Sequence, residues 1–202
     1  MTVVKIKNIE KKLLSDNWYV LNKYSYDYLK PDGNWERHHR EVYDRGNGAA
    51  ILLLNRARGT VILTNQFRMP TYVNGNESGM MIEACAGLLD GLNPEECIRK
   101  EVEEETGFKV NNVTQVMTTY MSPGSVTEIL YLFIGTYENR MKVGPGGGSN
   151  DETEYLEVLE LPFEQTLDMI ATGEIKDAKT IILLQHAALQ KLFAKPDSNS
   201  NP

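Results

Sequence analysis

Gly87 to Phe108 reads GLLDGLNPEECIRKEVEEETGF, and the way this stretch folds decides the rest of the chain. Asn93 is a good N-cap, and the φ of Pro94 is already set for a first helical turn. The helix that opens there is expected to run to Thr106 and to stop at Gly107, a glycine able to take the left-handed conformation that ends many helices. At about 100° per residue, Glu101, Glu104 and Glu105 fall within an arc of about 100° on one side. Ile98 and Val102 point to the adjoining side, where they can dock on a sheet. Left in water, such an acidic face is merely solvated, because like charges at i,i+4 cost only a few tenths of a kcal/mol. In a partly desolvated cleft, each close pair would repel by up to about 4 kcal/mol at an effective dielectric of about 20. That face would then require cations, and hard divalent ions with carboxylate and carbonyl ligands fit it.

Working outward, Met80–Ala86 reads as a strand leading into this segment, and Ala49–Leu54 and Thr60–Phe67 as two apolar strands joined by Asn55–Gly59. Residues 1 to about 45 also read as strands. Trp18–Tyr28 alternates large and polar residues, Pro31-Asp32-Gly33-Asn34 is a turn signal, and Trp35–Tyr43 returns. A hairpin alone is marginal in water, so this one must pack on the main domain, on a second copy of itself, or on both. Downstream, Val113–Met121 and Ile129–Tyr137 flank the turn Ser122-Pro123-Gly124. A glycine-rich stretch, 144–149, precedes two closing helices, roughly Pro162–Thr172 and Ala178–Phe193. Strands mixed with three helices predict an α/β or α+β fold in layers. The expected organisation is an N-terminal β arm over 1–45, a main domain over 46–195 and a disordered tail over 196–202.

Composition narrows the function. With 202 residues, 41% of them hydrophobic and 24% charged, the chain is an ordinary globular one. That length suggests a single domain with a small appendage. A net charge of -7 and a pI near 5.1 argue against a nucleic-acid coat, which needs an excess of Lys and Arg. Cys85 and Cys97 fit no zinc spacing, and His38, His39 and His186 do not complete one; two buried thiols of a reducing compartment are expected. The N-terminus has no uninterrupted apolar run of the signal-peptide kind, and Ile51–Leu54 is far too short to span a bilayer. A cytoplasmic protein with no membrane or nucleic-acid partner is expected.

The acidic helix resembles the signature of the Nudix hydrolases, which act on nucleoside diphosphates linked to another group. The family pattern Arg-Glu-apolar-any-Glu-Glu-any-Gly-apolar corresponds to Lys100-Glu101-Val102-Glu103-Glu104-Glu105-Thr106-Gly107-Phe108, and the opening glycine to Gly87. Three departures stand out: Lys100 replaces the arginine, the preceding loop is one residue shorter, and Asn93 stands near the place of the first glutamate. Pro123, 15 residues after Phe108, resembles the ADP-ribose and sugar-nucleotide branch. Arg40–Gly48, Asn65–Arg68, Val73–Gly79, Ile82–Asp90, Leu159–Phe163 and Thr172–Ile175 are similar to members of that branch acting on GDP-mannose.

The resemblance implies a Nudix α/β/α sandwich with a mixed sheet, plus a small N-terminal antiparallel sheet. It also implies a homodimer with exchanged N-terminal arms. The implied reaction is hydrolysis of GDP-mannose to GMP and mannose 1-phosphate by water attacking phosphorus, with Mg2+ or with Mn2+ in its place. ADP-ribose as substrate and a non-catalytic nucleotide sensor are the alternatives. Metal ligands implied are Glu101, Glu105, the carbonyl of Ala86 and Glu154, with Glu104 either a ligand or an orienting group. Glu152 is the implied general base and Glu128 its rival, or a substrate contact. His39, Arg40 and Glu41 would reach the neighbouring protomer's substrate, Lys179 the nucleotide or sugar, and Ala86–Gly87 the diphosphate. Trp18 would stack on guanine, with core packing as the plain alternative. Arg68, at the end of a strand, can fork onto a phosphate; a surface ion pair is the plain alternative.

Overall fold

The computed structural model describes residues 5–148 and 155–193. The chain divides into two compact units: residues up to Asn47 together with Tyr120–Ile129, and Gly48–Thr119 together with the chain from Leu130 onward.

The first unit is built on a three-stranded antiparallel sheet of β1 (Ile6–Asp16), β2 (Val20–Leu29) and β3 (Trp35–Asp44), in that order. The reversal between β2 and β3 uses the residues that the turn signal names. Asp32 Oδ1 accepts from Asn34 N at 2.9 Å, and Gly33 takes a left-handed φ of 85°. Residues 120–129 join this unit through the backbone: Tyr43 N donates to Ser125 O at 2.7 Å, and Thr127 N to Tyr43 O at 3.1 Å. On β1, Ile6, Ile9 and Leu13 remain about half exposed, at 49%, 57% and 55%.

The second unit holds a seven-stranded mixed sheet. Its path is β10 (Leu156–Pro162), β5 (Thr60–Phe67), β4 (Gly48–Asn55), β9 (Ile129–Thr136) and β8 (Val113–Tyr120), with β4 and β9 parallel. β4 is buried throughout. Its alternate residues Ala49, Ile51 and Leu53 pack with Cys97, Ile98 and Val102 of the acidic helix, so that helix covers one face. Ala50, Leu52 and Leu54 point to the other face. There helix α4 (Ala178–Leu189) contacts β4 and buries Leu183, Leu184 and Ala187, with α3 (Phe163–Thr172) beside it. A fully buried leucine contributes about 1.5–3 kcal/mol by leaving water, so this all-apolar strand is the natural centre of the domain.

The single strand expected over Met80–Ala86 is two. β6 (Met80–Glu83) pairs with β5, and β7 (Cys85–Leu88) pairs with β4. The reason lies in the neighbours. β4 and β5 pair directly only from Leu53↔Ile62 to Asn55↔Thr60 and then diverge, and β6 and β7 fill the wedge between them. At the crossing point, Ala84 N leaves the ladder and donates to Thr180 Oγ1 at 2.6 Å. The short helix α1 (Met69–Val73) and edge strand β10 were not among the expected elements. The expectation of a disordered tail over 196–202 concerns residues outside those described.

Candidate active site

The acidic helix starts as its sequence dictates. Asn93 Oδ1 accepts from Glu96 N at 2.9 Å, Pro94 follows, and α2 spans Pro94–Glu101. From Val102 to Thr106 it continues as a π turn and ends on Gly107 with φ 73°. Thr106 Oγ1 donates to Val102 O at 2.5 Å, the back-bonding that bends helices. The step of about 100° per residue therefore stops at Glu101. Glu104 is exposed and pairs with Lys100 at 3.1 Å, in a shallow hollow lined also by Arg99, Glu103 and Lys109. Glu105 is 2% exposed.

Glu101 and Glu105 converge on the backbone of β7. Glu105 Oε2 accepts from Ala86 N at 3.3 Å. Glu101 lies over Gly87 so closely that a Cβ there would sit 2.1 Å from its Cδ and 2.3 Å from its Oε1. Gly87 is thus a cradle for a carboxylate, with no left-handed φ requiring glycine there. Two carboxylates brought against one stretch of main chain suit a hard divalent cation, which takes carboxylate and carbonyl oxygens. Among the described residues no group of three Asp, Glu, His or Cys side chains forms a preassembled cage. Burial, followed by the charges of Glu105 and Glu101, pushes the Cys85 thiol well up, and burial pushes Cys97 up to about 11. Both thiols are buried and held in the protonated form, which leaves neither poised as a nucleophile.

At the end of β6 stands a residue that the sequence reading passed over. Glu83 is 4% exposed. Arg68 forks onto it, Nε to Oε1 at 2.7 Å and Nη2 to Oε2 at 3.0 Å. Lys179 donates to the same Oε2 and also pairs with Asp177 at 3.0 Å. Burial alone would raise the Glu83 carboxyl, but the Arg68 and Lys179 cations outweigh it and hold it down at about 2. Asp177 in turn caps α4 by accepting from Thr180 N and Oγ1 at 3.0 and 2.6 Å. Arg68 and Lys179, two residues named from the sequence as substrate contacts, are thus brought together by a buried acid. Arg68 is ion-paired, though to a buried acid rather than in the surface pair that was its plain alternative. The signal available in MMIEACAG was an acid in an otherwise apolar strand, with two cations elsewhere in need of a partner.

The remaining candidates lie in the first unit. Trp18, in the β1–β2 turn, is 83% exposed, so it is no core residue. On β3, His39 Nδ1 shares a hydrogen bond with Ser25 Oγ at 2.8 Å, Arg40 Nη1 donates to His39 O at 2.7 Å, and Glu41 stands opposite Lys23. Glu128 faces Arg45 at 3.7 Å, and Arg45 lies over the Tyr19 ring. Glu152 and Glu154 lie outside the described residues.

Residues 5–43 match the GDP-mannose pyrophosphatase NudK N-terminal domain, and residues 44–192 match the NUDIX domain. The chain is 59% identical to a GDP-mannose pyrophosphatase of Pectobacterium atrosepticum, over 93% of its own length and 96% of that protein. It is 56% identical to one of Yersinia enterocolitica, over 94% and 98%. A solved structure of an ADP compounds hydrolase superimposes with a TM-score of 0.70 over 96% of this chain and 98% of that one; at 18% identity this speaks for the fold alone. No helix among the described residues is long and apolar enough to cross a membrane. A NUDIX match over 44–192, carried by a mixed sheet with the acidic helix docked on its central strand, means that the chain belongs to the Nudix family.

Proposed function

We propose that this chain is a cytoplasmic, Mg2+-dependent enzyme that hydrolyses GDP-mannose to GMP and mannose 1-phosphate, with Mn2+ able to substitute. One observation carries the reading: two helix glutamates, Glu101 and Glu105, brought onto the Ala86–Gly87 backbone, where a diphosphate can share their cation. Those two, the carbonyl of Ala86 and Glu154 would hold the metal, with Glu104 as an orienting group. Bound there, a divalent ion supplies charge neutralisation of the diphosphate and acidifies water. The protein's own work is to position. Arg68 and Lys179 bring positive charge to the phosphates and sugar, and Glu83 sets their direction. Glu152 takes the proton of the attacking water, or Glu128 does so in its place.

The enzyme acts as a homodimer with exchanged arms. The support is physical: a thin sheet that leaves Ile6, Ile9, Leu13 and Trp18 in solvent gains by covering them. In that assembly Trp18 stacks on guanine, while His39, Arg40 and Glu41 complete the neighbouring protomer's site. A panel of nucleotide sugars incubated with Mg2+ and resolved by chromatography tests the substrate. GDP-mannose should give GMP and mannose 1-phosphate, and ¹⁸O-water should label a phosphate. Cleavage of ADP-ribose with GDP-mannose left intact would replace the substrate, and survival of both would end the enzymatic reading.

A further inference from the structure

The carbonyl groups that close the acidic helix are met by a segment that has no part in the chemistry above. Gly147 N donates to Glu105 O at 2.8 Å and Gly148 N to Glu104 O at 3.3 Å; Val143 N and Gly144 N both donate to Gly107 O, at 2.8 and 3.2 Å. A helix end leaves its last carbonyls without intrahelical partners, and here residues 143–148 supply them. The approach is backbone to backbone. A Cβ on Gly146, whose φ is +72°, would lie 2.6 Å from Glu105 O, 2.7 Å from Thr106 C and 3.0 Å from Gly107 N. One on Gly107 would lie 2.2 Å from Gly144 O. No rotamer change relieves a clash with main chain. Gly144 differs: a Cβ there meets nothing within 4 Å, and its φ is not left-handed.

We infer that Gly146–Gly148 is a positioning clamp for Glu105. The turn it grips, Val102–Thr106, is π, a geometry rarely stable by itself and common at functional sites. That turn carries the buried Glu105 carboxylate to Ala86 N, whereas Glu101 sits on regular α-helix and needs no such help. A methyl group at 146 pushes the Glu105–Gly107 backbone off the loop and draws the carboxylate away from β7. The inference rests on the proposed role of Glu105 in holding a divalent ion.

The test is Mn2+ affinity, read by electron paramagnetic resonance on the purified full chain, in the wild type, Gly146→Ala, Gly144→Ala, Gly59→Ala and Glu105→Gln. Gly59 has a φ of +68° with open space around it, so it reports the cost of left-handed strain alone. Gly146→Ala should weaken Mn2+ binding by about 10–100-fold, the range seen when a ligand's support is removed, and Glu105→Gln, which alters the ligand itself, by at least as much. Gly144→Ala and Gly59→Ala should match the wild type. Normal affinity in Gly146→Ala beside weakened Glu105→Gln overturns the clamp and leaves the metal assignment standing. Normal affinity in both overturns the metal assignment and the clamp with it. Equal losses in Gly144→Ala and Gly146→Ala overturn the steric argument. If Gly146→Ala does not fold, amide exchange in the wild type decides. Mg2+ should slow exchange across 143–148, and do so less in Glu105→Gln; identical exchange with and without Mg2+ overturns the clamp.

Discussion

Glu83→Gln removes the charge that Arg68 and Lys179 share while keeping nearly the same shape. The cost can be worked from the site. The Glu83 carboxyl falls from an ordinary 4.5 to about 2 in the folded protein. At 1.36 kcal/mol per pH unit, that is about 3 kcal/mol of stability. The sign follows from the direction. A carboxyl held down by folding contributes fully above pH 4.5, and the contribution drains away as pH falls toward 2. Removing one partner of a buried pair costs about 3–5 kcal/mol; here Lys179 stays buried while Arg68, 39% exposed, can turn to water, so the lower end applies. Urea unfolding at pH 7 should therefore show Glu83→Gln less stable by about 3 kcal/mol. Repeating the titration toward pH 3 should narrow the gap, since the wild type loses what the mutant never had. A mutant as stable as the wild type at pH 7, or a gap that stays constant across the acid range, would refute the account of Glu83 as a charge-holding acid.

Further predictions concern the carboxylate cradle and the proposed dimer. Gly87→Ala puts a methyl where the Glu101 carboxylate lies; unfolding should be nearly unchanged, while the Mg2+ concentration for half-activity rises about tenfold or more. Glu105→Gln should lower kcat by about two orders of magnitude or more with the fold retained, checked by circular dichroism beside the rate. Near-normal turnover would take Glu105 out of the reaction. Mixed dimers that pair Arg40→Ala with Glu105→Gln should recover up to half of the wild-type sites if the arms exchange; activity no greater than that of the two parents would show that each arm serves its own subunit.

Much of the fold was legible because its signals are local. Asn93-Pro94 and Gly107 set the ends of the acidic helix, the uninterrupted apolar run of β4 marked the core strand, and Pro31–Asn34 marked a reversal. What escaped depends on partners distant in sequence. Whether residues 80–88 form one strand or two is settled by the divergence of β4 from β5 and by Thr180, 96 residues from Ala84. The π turn follows from Thr106 back-bonding together with glycines some 40 residues downstream, so an even helical step mispositions Glu104 relative to its neighbours. At the candidate site, spacing put Glu101, Glu104 and Glu105 on one acidic face, and the resemblance to the Nudix signature singled out Glu101 and Glu105 among them. Glu83 could not be named in this way, since its meaning lies in two cations that the chain brings to it from either side.

The hydrogen bond from Ala84 to Thr180 has a consequence for the order in which the protein matures. The wedge of β6 and β7 leaves the ribosome long before α4 has been made, yet the amide at its crossing point and the acid beside it both wait for residues near 177–180. Contacts this far apart in sequence form slowly, and they cannot form at all on an unfinished chain. The nascent protein therefore carries its acidic helix early and gains the Ala84–Thr180 hydrogen bond and the Lys179–Glu83 ion pair only once residues 177–180 have emerged, so a product truncated before α4 would leave both the amide of Ala84 and half of the charge around Glu83 unmatched.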